Sequence, residues 1–67
     1  MKIILNNTQE TFKHDKMTVN ELLEAKTFTF KMLVVRINGT LIKKDEYNSA
    51  TIRDSDDVMV LHLVSGG

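Results

Sequence analysis

The sequence contains one strong helix signal, within residues 17–26, and it lies between runs that are typical of β-strands. Thr18 and Glu21 have the spacing of a capping box, in which each side chain accepts a hydrogen bond from the backbone N–H of the other residue. Met17 and Leu22 stand at the two positions of a hydrophobic staple. We therefore expect an amphipathic helix, lying on a sheet. Its apolar side consists of Val19, where the helix starts, Leu22, Leu23 and the stem of Lys26.

The segment before this helix has the pattern of a hairpin. Residues 2–6 are mostly aliphatic and β-branched, and they end at Asn6-Asn7, a pair that tolerates left-handed backbone. Residues 8–13 alternate around Phe12, which is consistent with a return strand on a sheet edge. Two antiparallel strands are predicted here.

A second hairpin is predicted after the helix. Residues 32–37 form a strand-like run, and Asn38-Gly39 followed by residues 40–42 is the strongest short-range hairpin signal that a sequence offers. Residues 27–31 are ambiguous and are left unassigned. Residues 43–49 are polar around a single tyrosine.

The last strand is predicted over residues 57–64, after the polar turn at residues 54–56. The predicted order of strand, strand, helix, strand, strand, strand gives a mixed sheet with a helix on one face. This is the α+β, ubiquitin-like β-grasp fold, a ββαβββ chain with four to five strands. The last strand is expected in the middle of the sheet, which explains why it is nearly all apolar. We expect one β-grasp domain over residues 1–64 and a flexible tail over residues 65–67.

Alternation along the last strand separates two sets of side chains. Val58 and Val60 are expected to face the helix, so the residues between them face away from it. The expected result is an apolar patch with one cation on the open face of the sheet, suited to docking a protein. Its members are Met59, Leu61, Leu63, Val34 and Arg36. The alternative is that these residues only cover a thin sheet.

Composition excludes several classes of function. A chain of 67 residues leaves little room for a deep substrate cavity. Lys plus Arg and Asp plus Glu each total 9, so net charge directs the chain neither to nucleic acid nor to a membrane, and another protein is the expected partner. There is no cysteine, which excludes a disulfide or a thiolate nucleophile. With no apolar leader at the N-terminus, a cytoplasmic location is expected.

Metal binding and catalysis within the chain are not expected. His14 and His62 lack further ligands at metal-binding spacing. The three aspartates at positions 54, 56 and 57 lack the glycine and the distal glutamate of a calcium loop and are interpreted as turn residues. No serine has a base in its sequence context.

The last three residues, Ser65, Gly66 and Gly67, place a backbone carboxylate on an arm of small residues. Gly66 and Ser65 would let the arm thread a narrow tunnel in a partner, where larger side chains would clash. The carboxylate of Gly67 is ionised at neutral pH and can attack the α-phosphate of ATP, which gives an acyl-adenylate. A sulfur nucleophile can then displace AMP. A purification scar or plain disorder are the alternatives.

The whole chain resembles the ThiS family of sulfur carriers in thiamin biosynthesis, which are small ubiquitin-like proteins. The resemblance lies in the Met-Lys-Ile start, residues 18–23, residues 36–39, Tyr47, residues 52–58 and the terminal Gly66-Gly67. One departure is Ser55, where the family commonly has glycine. If that turn needs positive φ, the serine costs some stability.

The resemblance implies three partners. A ThiF-like adenylyltransferase would activate Gly67 with ATP, a persulfide relay protein would convert it to a thiocarboxylate, and a ThiG-like synthase would receive the sulfur for the thiazole ring. The carrier would bind no cofactor, would catalyse nothing, and would be a monomer when free. Two alternatives remain: a MoaD-like carrier for molybdopterin, and a β-grasp binding module or modifier that carries no sulfur.

Overall fold

The structure of the protein is a computed structural model that describes residues 1–26 and 32–62. The unassigned residues 27–31 lie outside this part of the chain, as do residues 63 and 64 of the predicted last strand. The elements in chain order are β1 (Lys2–Leu5), β2 (Thr8–Thr11), β3 (Lys16–Thr18), α1 (Val19–Ala25), β4 (Leu33–Ile37), β5 (Thr40–Ile42), a 3₁₀ helix (Lys44–Glu46), β6 (Thr51–Arg53) and β7 (Asp57–His62).

Five strands form the main sheet in the order β2-β1-β7-β4-β5. The last strand, β7, is in the middle, parallel to β1 and antiparallel to β4. Both neighbouring hairpins are antiparallel, so the sheet is mixed. The predicted β-grasp arrangement and the central position of the last strand are confirmed.

One face of this sheet and the apolar side of α1 form a single core. Ile3 and Leu5 of β1 are buried, as are the two β7 residues that were predicted to face the helix, Val58 and Val60. Alternation explains the pattern, since every second side chain of a strand points to the same face. The core consists of Ile3, Leu5, Met17, Val19, Leu22, Leu23, Val35, Ile52, Val58 and Val60.

The predicted capping box at the start of α1 is present. The backbone N–H of Glu21 donates to Thr18 Oγ1 at 3.2 Å, and the N–H of Thr18 donates to Glu21 Oε1 at 2.9 Å. The second bond is the main reason that the pKa of the Glu21 carboxyl lies below its usual value. Met17 and Leu22, the predicted staple pair, are both buried.

The loop after β5 satisfies the remaining amides of the first helical turn. The backbone N–H of Val19 donates to the carbonyl of Ala50 at 3.1 Å, and that of Asn20 donates to the carbonyl of Tyr47 at 3.0 Å. The side chains of Asn20 and Asn48 are also hydrogen-bonded. The first amides of a helix have no partner within the helix, so this loop completes the helix start.

Lys26, whose stem was predicted on the apolar side of the helix, is the residue that follows α1, and its side chain is half-buried. Its ammonium group forms an ion pair with Glu10 of β2 at 3.1 Å.

α1 has seven residues, and no helix in residues 1–26 or 32–62 is long and apolar enough to span a bilayer.

A second sheet of two strands was not predicted from the sequence. β3 pairs with β6 in antiparallel register, and the pair Met17 and Ile52 is buried at its centre. Each strand has only three residues, and the segments lie far apart in sequence. Neither carries a local strand pattern long enough to recognise, since β3 runs directly into the helix start.

The two turns that flank β7 in space need left-handed backbone. Asn38 and Gly39 have φ of 51° and 83°, as expected for a two-residue hairpin turn of this sequence. Ser55 has φ of 72° in the turn that leads into β7, where the amide of Asp56 donates to the carbonyl of Arg53. The turn thus needs positive φ at Ser55, and a residue with a Cβ is strained there, so Ser55 is expected to cost some stability.

Replacing Thr18 with alanine should lower the free energy of unfolding by about 1 kcal/mol, because the amide of Glu21 loses its acceptor. Thr18→Ser keeps a hydroxyl at the cap and should remain close to the parent. Chemical denaturation at neutral pH, followed by circular dichroism, measures both. Equal stability of the alanine and serine variants would show that the capping hydrogen bond contributes nothing.

Replacing Ser55 with glycine should raise the free energy of unfolding by about 0.5–1 kcal/mol, because glycine adopts positive φ without steric cost. Ser49→Gly is the matched control, since Ser49 has no positive φ and its hydroxyl donates to the carbonyl of Glu46. The control should be neutral or destabilising. A gain in the control as large as that at position 55 would contradict the explanation.

Candidate functional site on the open face of the sheet

The face of the main sheet opposite α1 presents apolar side chains from the central strand. Because Val58 and Val60 are buried, Met59 and Leu61 lie on the other face of β7. Met59 is half-buried, and Leu61 is 44% exposed. This arrangement agrees with the predicted register.

The neighbouring strand completes the described part of the predicted patch. Val34 lies directly across from Leu61, and Arg36 lies directly across from Met59. Val34 is half-buried and Arg36 is exposed. The structure therefore brings together four of the five residues predicted for the patch, while Leu63 lies outside the described residues.

Two further apolar residues on this face were not predicted. Leu41 of β5 lies across from Arg36 and is 55% exposed. Ile4 of β1 is 38% exposed and lies across from Asp57. Asp57 precedes Met59 by two residues on β7, so both are on the same face. We call Ile4, Val34, Arg36, Leu41, Met59 and Leu61 the open-face patch.

Both missed residues had a signal in the sequence. A two-residue turn at Asn38-Gly39 fixes the register of its hairpin, which places Leu41 opposite Arg36. Alternation along β1 places Ile4 on the face opposite Ile3 and Leu5. What the sequence did not contain was the parallel pairing of β1 with β7, which brings Ile4 next to the central strand.

Arg36 supplies the positive charge of the open-face patch. Within residues 1–26 and 32–62 its guanidinium makes no hydrogen bond or ion pair. It lies between Met59 and Leu41 on the neighbouring strands. A guanidinium with unused donors on an apolar surface can bind a partner's carboxylate in two-point geometry.

The turn between β4 and β5 holds the start of β7. The amide of Asn38 donates to the carbonyl of Asp57 at 2.7 Å, and the Asn38 side-chain oxygen accepts from the Asp57 amide at 2.8 Å. Its side-chain NH₂ donates to Asp56 Oδ1 at 3.0 Å. Asn38 thus fixes the register in which β7 meets the open-face patch.

Of the three aspartates predicted as turn residues, Asp54 and Asp56 lie in the turn before β7, whereas Asp57 is the first residue of the strand. Asp54 Oδ1 accepts from the Lys2 amide at 2.7 Å, which holds the pKa of the Asp54 carboxyl below its usual value. Asp56 Oδ2 accepts from the Arg53 amide at 2.9 Å. In the part of the chain that the structure describes, no three residues of metal-binding type cluster together.

The predicted chemical residues follow the open-face patch in the chain. β7 is described to His62, and Ser65, Gly66 and Gly67 lie outside the described residues. Since β7 is central and Leu61 is its penultimate described residue, the chain continues toward Gly67 from a strand that belongs to the patch. The predicted roles of these three residues remain predictions.

The model of the ThiS family matches residues 3–67, which is nearly the whole sequence and includes the terminal diglycine. The chain belongs to the ThiS family. It is 30% identical over 63 residues to the sulfur carrier protein ThiS of Bacillus subtilis, with 94% of this chain and 96% of that protein covered. The expected family membership is therefore confirmed.

Solved structures agree with this assignment. The crystal structure of the thiamine biosynthesis protein ThiS from Geobacter metallireducens superposes with a TM-score of 0.90 at 26% identity and full coverage of both chains. A solution structure of a thiamine biosynthesis protein from the same organism gives 0.80, also at 26% identity, over all of this chain and 88% of that one. The ubiquitin-like β-grasp fold is thus shared with this family.

Proposed function

We propose that this ThiS-family chain is a sulfur carrier of thiamin biosynthesis, a cosubstrate of partner enzymes and not itself an enzyme. The observation that carries the proposal is the family match, which extends along residues 3–67 to the diglycine. A relative with nearly complete mutual coverage is named a sulfur carrier protein.

The first proposed step is activation of Gly67 by a ThiF-like adenylyltransferase. An oxygen of the terminal carboxylate attacks the α-phosphate of ATP, a new P–O bond forms, and pyrophosphate leaves. The resulting acyl-adenylate has AMP as its leaving group, which is a much better one than the oxygen of a free carboxylate. ATP is bound by the partner and not by this chain.

The second proposed step is sulfur transfer from a relay protein that carries a persulfide. The terminal sulfur attacks the acyl carbon of Gly67, and AMP leaves. The intermediate is an acyl disulfide that joins the relay's cysteine to the carrier. A second thiol of the relay then attacks the sulfur of that cysteine, the S–S bond to the carrier breaks, and the relay is oxidised to a disulfide. The carrier is left with a thiocarboxylate, whose sulfur passes to a ThiG-like synthase for the thiazole ring.

Ser65 and Gly66 are proposed to let the arm enter the partner's active site. Glycine has no Cβ, so the backbone can approach phosphates and tunnel walls closely. A domain as small as this one has little room for a reaction cavity of its own. If the C-terminus inserts into the active site of a partner, the reaction takes place in the partner's cavity and this domain needs none of its own.

The open-face patch is proposed as the surface that docks these partners, with Leu63 as a further member. Its exposed leucines supply apolar contact, and the Arg36 guanidinium supplies a charged hydrogen-bond donor. Arginine and methionine, here Arg36 and Met59, are enriched in protein interfaces relative to the rest of the surface. Two residues of the patch, Met59 and Leu61, also lie on the strand that leads to the tail.

Deleting Gly67 should abolish sulfur loading. Intact chain incubated with its cognate adenylyltransferase, ATP and a sulfur donor should gain the mass difference between sulfur and oxygen, because one carboxylate oxygen is replaced. Intact-mass spectrometry measures this, and Gly67→Ala tests the need for a glycine while keeping the length. Loading of the truncated chain at the parent rate, or no loading of the intact chain by an active enzyme, would contradict the proposal.

Replacing Leu61 with glutamine should weaken binding to the adenylyltransferase by about tenfold, because an exposed apolar anchor is lost at the centre of the patch. Ala25→Gln is the matched control, since Ala25 is exposed at the end of α1, on the other side of the sheet. Calorimetric titration compares the two, with thermal unfolding to confirm that both are folded. Equal affinities would exclude the open face as the docking surface.

A further inference from the structure

The parallel pairing between β1 and β7 extends beyond the last residue of β1. The amide of Ile4 donates to the carbonyl of Asp56 at 3.0 Å, and the amide of Asn6 donates to the carbonyl of Val58 at 2.9 Å. The next backbone N–H and C=O groups of β7 that face β1 belong to Val60, two residues after Val58. At this point the chain turns away, since Asn6 has φ of 50°.

Beyond the end of β1, the side chain of Asn6 bonds to β7 where the next backbone groups of β1 would have done so. Its Nδ2 donates to the carbonyl of Val60 at 3.0 Å, and its Oδ1 accepts from the Val60 amide at 2.8 Å. A side-chain amide has the same donor and acceptor as a peptide group, so it completes one more step of the pairing. Both backbone groups of Val60 that face β1 are thereby bonded.

Asparagine combines the two properties that this position needs. It tolerates left-handed backbone, and its amide is short enough to bond at its own turn. Aspartate can accept from the Val60 amide but, when ionised, cannot donate to the Val60 carbonyl. Asn7 is a natural comparison, because it also has positive φ, at 67°, yet its side chain makes no hydrogen bond within the described residues.

β7 is paired with β4 as far as His62, which lies across from Leu33, and five residues of sequence follow His62. On the β1 side, Asn6 holds Val60, two residues before the end of the strand. Without that attachment, the end of β7 would be held less firmly on the β1 side and would move over a wider range of positions. Holding Val60 from this side therefore narrows the range of positions from which the chain continues toward the carboxylate of Gly67.

We propose that Asn6 is a positioning residue for the reaction at Gly67, because its amide holds the end of β7 on the β1 side, next to the residues that continue to Gly67. This inference rests on the proposed function for its catalytic consequence. Its structural part, the attachment of Val60 to Asn6, stands independently of any reaction. Asn6 touches neither ATP nor the reacting carbonyl in this role.

The test compares Asn6→Ala with Asn7→Ala, which place the same residue at neighbouring positive-φ positions and so incur similar backbone strain. Native-state hydrogen exchange should show the Val60 amide exchanging about tenfold faster in Asn6→Ala than in the parent, and within about twofold of the parent in Asn7→Ala. Asn6→Asp keeps one of the two bonds and should be intermediate. If Asn6→Ala does not fold, Asn6→Asp against Asn7→Asp provides the same comparison.

Steady-state adenylation by the cognate adenylyltransferase, at a temperature where every variant is folded, gives the functional readout. For Asn6→Ala we expect kcat to fall about fivefold or more with KM little changed, because the patch still docks while the carboxylate is placed less often at the ATP. A role in stability alone would leave kcat at the value for Asn7→Ala.

The outcomes separate the two proposals. Unchanged exchange at Val60 in Asn6→Ala would overturn the attachment itself. Faster exchange with a kcat equal to that of Asn7→Ala would overturn the positioning role. If the parent chain is not adenylated by an enzyme that is active on another carrier, the proposed function fails and the positioning role with it, while the exchange result still decides the attachment.

Discussion

The burial of β7 in the middle of the sheet is the constraint on which the other features of this protein depend. β7 pairs with β1 from the start of the chain and with β4 from after the helix, so it joins two hairpins that would otherwise be separate. Its inward valines complete the core under α1, and its outward residues form the centre of the open-face patch. A shift of one residue would exchange these two sets of side chains. Asn38 and Asn6 hold the strand from its two sides, at Asp57 and Val60.

This arrangement is consistent with the role that we propose for a chain of 67 residues, that of a carrier on which partner enzymes act. In this proposal the open-face patch docks the partners, and the partners supply ATP, sulfur and catalysis. Packing provides the stability, since there is no cysteine for a disulfide. The strained turn at Ser55 slightly reduces that stability next to the central strand. The end that is proposed to react consists of small residues alone, Ser65, Gly66 and Gly67.

Local and periodic features were predictable from the sequence, whereas non-local pairings were not. The capping box at Thr18, the Asn38-Gly39 turn and the alternation along β7 each depend on a few neighbouring residues, and each was predicted correctly. The β3–β6 pair and the 3₁₀ helix at Lys44–Glu46 were missed, because three-residue elements carry no periodic signal. The hydrogen bonding of the Asn6 side chain was missed for a related reason. Its partner, Val60, is 54 residues away, and only the parallel pairing of β1 with β7 brings them together.

The central claim is that this chain carries sulfur for the thiazole of thiamin. The most direct measurement is the growth of a strain of the encoding organism that lacks the chain, in medium with and without the thiazole precursor. We expect growth to require the thiazole, and we expect the intact chain to remove this requirement while the chain without Gly67 does not. Growth without thiazole, together with loss of the activity of molybdopterin-dependent enzymes, would show that the chain supplies sulfur to molybdopterin and not to the thiazole.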